Sequence, residues 1–386
     1  MADFAPGFVM QEALDAICLC MQLNGTGIDG MDAPAMDERW RTEFDSRQTD
    51  PSRQEKRALS DGTAQAIEGM GPFDNAWAAW KCVFDENLYA IVIRGTVGEV
   101  SSILDDVLAT SVEANAPLPI SMPQGSGKQL PLFVVSSQNA DTAAVHLGFI
   151  WGTAILLYHE TLGILRYLLS LPSGSKVLIA GHSQGAAIAT LVHAVLLHAT
   201  TDASGTMPEA LKAKSLRFKS YVFAQPRPGN WQFGQDFAQA AGNRGMALCI
   251  NNSRDWVPQV PLTMDMPDEV AGNPIDPYLS AKHPILKRLA DIVEASARDA
   301  RSAIGEVAQK AADRAMTYLG QNMPAGTYLL DGTPPNSAAP YLNYVQCGRL
   351  YSLAGQVAVE ESTDPLWQHH CGNYYKLLMA QGAMFK

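Results

Sequence analysis

The chain has 386 residues, 47% of them hydrophobic and 17% charged, enough to bury the core of one large domain or two. Its formal net charge of −11 argues against nucleic acid or an anionic membrane surface as the main partner, since both repel net acidity. No apolar run reaches the roughly 18 residues a membrane span needs, and six cysteines without paired C-x-x-C spacing make neither a disulfide framework nor a metal site.

The first twenty residues read as a helix in which Glu12 and Asp15 interrupt the apolar content, with Asp3 where a secretory leader needs positive charge. The expected location is therefore the cytoplasm, or outside the cell by a route without a cleaved signal peptide. Gly25-Thr26-Gly27-Ile28-Asp29-Gly30 matches the dinucleotide pattern G-x-G-x-x-G. It follows a helix rather than a strand, and the segment after it is a poor helix start, so it reads as a loop. Residues 76–94 form a predicted hairpin around Asp85-Glu86-Asn87. Residues 97–145 are rich in Pro, Gly and Ser and read as a long excursion without regular structure. A helix is predicted over 149–171, stopped by Pro172 and Gly174. Three further strands are expected: Val177–Ile179, the run from Arg217 to Pro226, and the run from Met246 into a loop fixed by Pro258 and Pro261. Their alternation with helices favours a parallel α/β sheet. Residues 265–345 hold a helical insertion, with Leu289, Ile292, Val293, Ile304, Val307, Ala311, Ala315 and Leu319 on one apolar stripe that packs on the main domain. No internal repeat is evident.

Chemistry concentrates where the strand at 177 meets its helix. Gly181-His182-Ser183-Gln184-Gly185 fits G-x-S-x-G, the sharp strand-to-helix turn that lifts a serine above a parallel sheet. Such a turn strains the serine's backbone and needs neighbours without bulk, which Gly181, Gly185 and Ala186 supply. A serine hydroxyl is a weak nucleophile until a base takes its proton and a third group fixes that base. On this architecture the acid and then the histidine follow the serine in the chain. Asp255, after a strand and before Trp256-Val257-Pro258, is the favoured acid, while Asp265, Asp268 and Asp276 suit a solvated loop. His193 and His198 sit on the helix of Ser183 itself, and His283 precedes Pro284 at the start of the insertion. The candidates for the base are therefore the adjacent His369 and His370.

With these residues in view the sequence resembles the fungal-type class 3 lipases of the α/β-hydrolase superfamily. The resemblance covers roughly 76–262 and the last thirty or so residues. It rests on five motifs in order: "IVIRGT" at 91–96, "VHLGF" at 145–149, "GHSQGAA" at 181–187, "YVFAQPRPGN" at 221–230 and "NSRDWVPQVP" at 252–261. It implies a single α/β-hydrolase domain over 1–386, with a mostly parallel central sheet, helices on both faces and the 265–345 helical insertion. Carried over residue by residue, it implies Ser183 as nucleophile, Asp255 as acid, and the backbone N–H groups of Thr96 and Gln184 as the oxyanion hole. For the base it implies His369, since the family histidine stands five residues before a tyrosine with an apolar residue two positions on, here Tyr374 and Cys371; His370 is the alternative. Gln184, Ala186 and Ala224 replace the family's Leu, Gly and Gly. Ser102 replaces a tryptophan, so a lid within 97–122 is not assumed to move as in relatives.

The implied activity is hydrolysis of hydrophobic acyl esters, as a lipase or esterase, through an acyl-enzyme, at an oil-water or membrane interface if the lid opens. No cofactor or metal is implied. The apolar residues Val100, Ile103, Leu104, Val107, Leu118 and Ile120 are expected either to cover the acyl cleft or to pack as ordinary loop core. Three alternatives are a cutinase, which would lack the "PRPGN" and "RDWVP" motifs, a phospholipase exported without a signal peptide, and an inactive hydrolase fold that binds an acyl ligand or a protein.

Overall fold

Val177, Leu178, Ile179 and Ala180 are apolar without interruption because the strand they form is covered on both faces. The computed structural model describes residues 4–24, 32–47, 56–58, 64–66, 70, 75–95, 111–114, 118–121, 129–130, 142–159, 161–201, 209–261, 329–330, 343–356 and 366–384. Its main sheet has seven strands in chain order: β1 (Trp40–Asp45), β2 (Trp77–Cys82), β3 (Leu88–Ile93), β4 (Lys176–His182), β5 (Arg217–Phe223), β6 (Ala247–Asn252) and β7 (Arg349–Leu353). The first three strands pair antiparallel, β2 and β3 being the hairpin read from the sequence. From β3 to β7 every pairing is parallel, so β4 lies between β3 and β5 with Ile179 opposite Ile91 and Ser220.

Side chains alternate across β4. Val177 and Ile179 pack with α2 (Leu147–Tyr158) and α3 (Gln184–Thr201), whereas Leu178 and Ala180 pack with α1 (Met10–Asn24) and α4 (Cys371–Met384). The parallel sheet thus carries helices on both faces, the α/β-hydrolase arrangement. The helix α1 is pinned by Glu12, which accepts from the fully buried Lys219 ammonium at 2.5 Å and from the Tyr221 hydroxyl at 2.8 Å. All six cysteines are unpaired, five of them buried; burial pushes the thiols of Cys18 and Cys249 up to about 12, which keeps them inert.

Two expectations are corrected. The helix expected over 149–171 is two helices, Leu147–Tyr158 and Ile164–Ser170, broken where Gly163 passes so close to the carbonyls of Leu157 and His159 that a Cβ there would clash. The stretch 97–145 also contains regular structure. Ser111–Glu113 and Ala144–His146 belong to a four-stranded sheet with Gly229–Asn230 and Tyr344–Val345, and Leu118–Ser121 pairs with Gln129–Leu130 and Leu329–Leu330. Strands of two to four residues are too short to show a period in the sequence. The loop expected at Gly25–Gly30, the apolar lid residues Val100, Ile103, Leu104 and Val107, and the insertion over 265–328 with its stripe lie outside the described residues.

Candidate active site

The turn at the end of β4 is built from small residues because backbone fills the space around it. A Cβ on Gly181 would run into the carbonyl of Gly185, and one on Gly185 into the Ile93 carbonyl oxygen, with the Arg94 carbonyl carbon at 2.8 Å and the Gly95 nitrogen at 2.9 Å. None of these backbone atoms can rotate aside. Gly185→Ala is therefore expected to destabilise the protein by about 3 kcal/mol, read as a melting temperature several degrees lower; an unchanged melting temperature would mean the turn is slack.

Ser183 sits at φ 58°, in the left-handed region that side chains other than glycine rarely enter. Its N–H donates to the Phe223 carbonyl at 3.0 Å, and its own carbonyl accepts from Ala186 at 2.8 Å. These bonds hold the residue in the strained conformation at the end of β4. Gln184 begins α3, so its N–H has no acceptor within the helix and lies at the positive end of the helix dipole. Gly95 runs beside the turn: a Cβ there would lie 3.1 Å from the His182 carbonyl oxygen and 3.5 Å from the Ser183 Cβ. The next residue, Thr96, lies outside the described residues.

The structure brings Ser183, His369 and Asp255 together across nearly 190 positions of chain. The Ser183 Oγ is 2.8 Å from His369 Nε2, and His369 Nδ1 is 2.9 Å from Asp255 Oδ2. Asp255 follows β6 and is almost wholly buried. Its Oδ2 also accepts from the Tyr374 hydroxyl at 2.7 Å, and its Oδ1 from the Val257 N–H at 3.0 Å. Burial pushes this carboxyl up, but the hydrogen bonds from His369, Tyr374 and Val257, with the charge of His369, outweigh it and hold the group below the usual carboxylate value. An acceptor-only Asp255 fixes the proton of His369 on Nδ1 and leaves Nε2 free to accept from the serine.

His370, the alternative base, is buried beside His369, and its carbonyl starts α4 by accepting from Asn373 and Tyr374. The ring that meets both Ser183 and Asp255 is that of His369. His193 is a core residue between α3 and β5, with Nδ1 2.9 Å from the Ser220 hydroxyl. His283, Asp265, Asp268 and Asp276 lie outside the described residues.

Two neighbours escaped the sequence reading. Tyr374 entered it only as a spacing marker, yet its hydroxyl both donates to Asp255 and accepts from the Asn252 N–H at 3.1 Å. His182 was the variable position of the motif. Its Nε2 lies 2.6 Å from the His369 carbonyl oxygen, and its ring centroid 4.7 Å from that of His369. Burial, with the nearby His369 adding to it, pulls the His182 imidazole down to about 3, so it is neutral. Neither role has a local signal, because each depends on where a distant segment docks.

Residues 90–264 match the family model described as lipase (class 3). Among curated proteins, the secreted mono- and diacylglycerol lipase MDL4 of Malassezia globosa is 36% identical over 88 residues, 23% of this chain and 24% of that one. The match thus spans about a quarter of the curated relative's length. That relative is named as secreted, which contradicts the cytoplasmic expectation; an acidic N-terminal stretch bears on one kind of leader and does not fix a compartment. Among solved structures, a Rhizomucor miehei lipase propeptide complex is similar at 18% identity with a TM-score of 0.40, covering 65% of this chain and 62% of that one. M37 lipase is similar at 15% identity with a TM-score of 0.41, covering 67% and 70%. Among the described residues no helix is long and apolar enough to cross a membrane.

Proposed function

We propose, on the match of residues 90–264 to the class 3 lipase family, that the chain is an exported serine hydrolase that cleaves esters of hydrophobic acids. The observation that carries the reading is the unbroken chain of hydrogen bonds from Ser183 Oγ through both nitrogens of His369 to Asp255. In this reading the Ser183 oxygen attacks the ester carbonyl carbon while its proton passes to His369 Nε2. Negative charge collects on the carbonyl oxygen, stabilised by the Gln184 N–H at the head of α3 and by the N–H of Thr96. Collapse expels the alcohol, which takes the proton from Nε2, and leaves the acyl group on Ser183. Water then repeats the sequence: its oxygen attacks the acyl carbon as its proton passes to Nε2, and collapse breaks the bond to Ser183, releasing the acid while Ser183 Oγ takes the proton back from Nε2. Asp255 keeps its negative charge throughout and steadies the imidazolium formed in each half of the cycle.

The relative's name directs the choice of substrates. Monoacyl-, diacyl- and triacylglycerols should be compared with a phospholipid of the same acyl chain, after a first assay on a short-chain chromogenic ester. Hydrolysis by the native chain that disappears in Ser183→Ala supports the reading. A folded native chain inactive on all of these esters would overturn it.

A further inference from the structure

We infer that His182 is a positioning residue for the base: it holds the main-chain carbonyl of His369 and backs the His369 ring, so that one strand end sets both nucleophile and base. The inference rests on the reading of Ser183 and His369 given above. A carbonyl oxygen can only accept, so the 2.6 Å contact requires His182 Nε2 to carry the proton and donate it.

The base needs such a tether because of where it stands. His369 ends a single 3-10 turn, Trp367–His369, and α4 starts only at Cys371. Its N–H bonds back to the Leu366 carbonyl at 2.8 Å, within the turn, and so fastens it to nothing else. Two successive carbonyls of the turn are instead held from the sheet. Asn252 at the end of β6 donates to the Gln368 carbonyl at 2.9 Å, and His182 at the end of β4 donates to the next one. The His182 ring is wedged between the His369 ring, centroids 4.7 Å apart, and the Tyr374 ring at 5.8 Å in an edge-on contact. Its partners are thus the base and the tyrosine that holds the acid. A neutral ring in that place can lie against the imidazolium form of His369 without opposing it, as a second cation would.

The reach of the donor makes the test specific. A glutamine amide nitrogen falls near the position of the imidazole Nε2, whereas the asparagine amide nitrogen falls near Nδ1 and stops short of the carbonyl. In the full chain, His182→Asn and His182→Phe are expected to lower kcat, and the rate at which an organophosphorus ester modifies Ser183, by about 10- to 100-fold, the cost of a base about 1 Å out of place. KM should stay within about twofold, since ester binding is untouched. His182→Gln should recover kcat to within about fivefold of the native chain. A purely structural role would lower the melting temperature of all three variants alike and leave kcat alone, and that result would overturn the inference. So would a glutamine variant as slow as the asparagine one. Should the phenylalanine variant not fold, the pair of amides decides alone. Turnover that survives Ser183→Ala sinks the reading of the site itself; turnover lost in Ser183→Ala but unchanged in His182→Asn sinks the inference and spares that reading.

Discussion

Ser183→Ala is expected to lower ester turnover by on the order of 10⁴-fold or more, with the fold unchanged. On the proposed mechanism the size follows from the chemistry: without the hydroxyl, His369 would have nothing to deprotonate, and what remains would be the contribution of the oxyanion donors and of binding. Preservation of the fold follows from the backbone. Ser183 stands at φ 58°, and an alanine already occupies the same left-handed region in this chain at Ala224, φ 52°. The exchange therefore adds no strain that the protein does not already carry elsewhere. The bonds that hold the turn, from the Ser183 N–H to Phe223 and from Ala186 to the Ser183 carbonyl, are main-chain bonds and survive it. Initial rates on a chromogenic ester, with thermal melting as the control, measure both halves. A folded variant with near-native turnover would place the nucleophile elsewhere and end the proposal.

The sheet was legible in the sequence wherever burial is two-sided. Strand β4 reads as a strand because Val177 to Ala180 face apolar helices on both sides, and the hairpin before it reads clearly for the same reason. Strand β1 was missed. It lies at the edge of the sheet, only Trp40 and Asp45 of its six residues are buried, and an edge strand in contact with water carries no apolar run. The break between the two helices after Leu147 was missed because a lone glycine also occurs inside helices; the chain leaves the first helix at His159, and Gly163 then passes so close to the carbonyls of Leu157 and His159 that a Cβ would clash.

The candidate site divides the same way. The glycines around Ser183 are a local requirement and show in the sequence, as does the rigid loop after Asp255. The hydroxyl of Tyr374 and the imidazole of His182 matter because α4 docks against the ends of β4 and β6, which no local pattern encodes. The geometry also gives meaning to the tyrosine spacing. Five residues separate His369 from Tyr374, the first in a 3-10 turn and the second in the first turns of α4, and both side chains converge on the same oxygen of Asp255.

His369→Ala and His370→Ala, made separately, are expected to diverge by several orders of magnitude. Removing the His369 ring leaves Asp255 in place, because Oδ2 keeps the Tyr374 hydroxyl and Oδ1 keeps the Val257 N–H. On the proposed mechanism the acid would then still be held and the nucleophile would still stand at the turn, with only the proton acceptor between them gone. Turnover should fall on the order of 10⁴-fold, close to the loss from Ser183→Ala, and the two changes together should cost little more than either alone, as in groups that act as one unit. His370 contributes to the site through its main chain: its carbonyl accepts the first bonds of α4 and persists in alanine. The positions on Ser183 Oγ and Asp255 Oδ2 are taken by the two nitrogens of His369, so His370→Ala should lower kcat less than about tenfold, with its effect felt in stability because the side chain is buried. Circular dichroism on both variants separates a lost base from a lost fold. If the folded His370→Ala variant is the dead one, the base is off by one residue. If neither variant is dead, the proton acceptor is not at the head of α4 at all, and His283 in the insertion becomes the histidine to replace next.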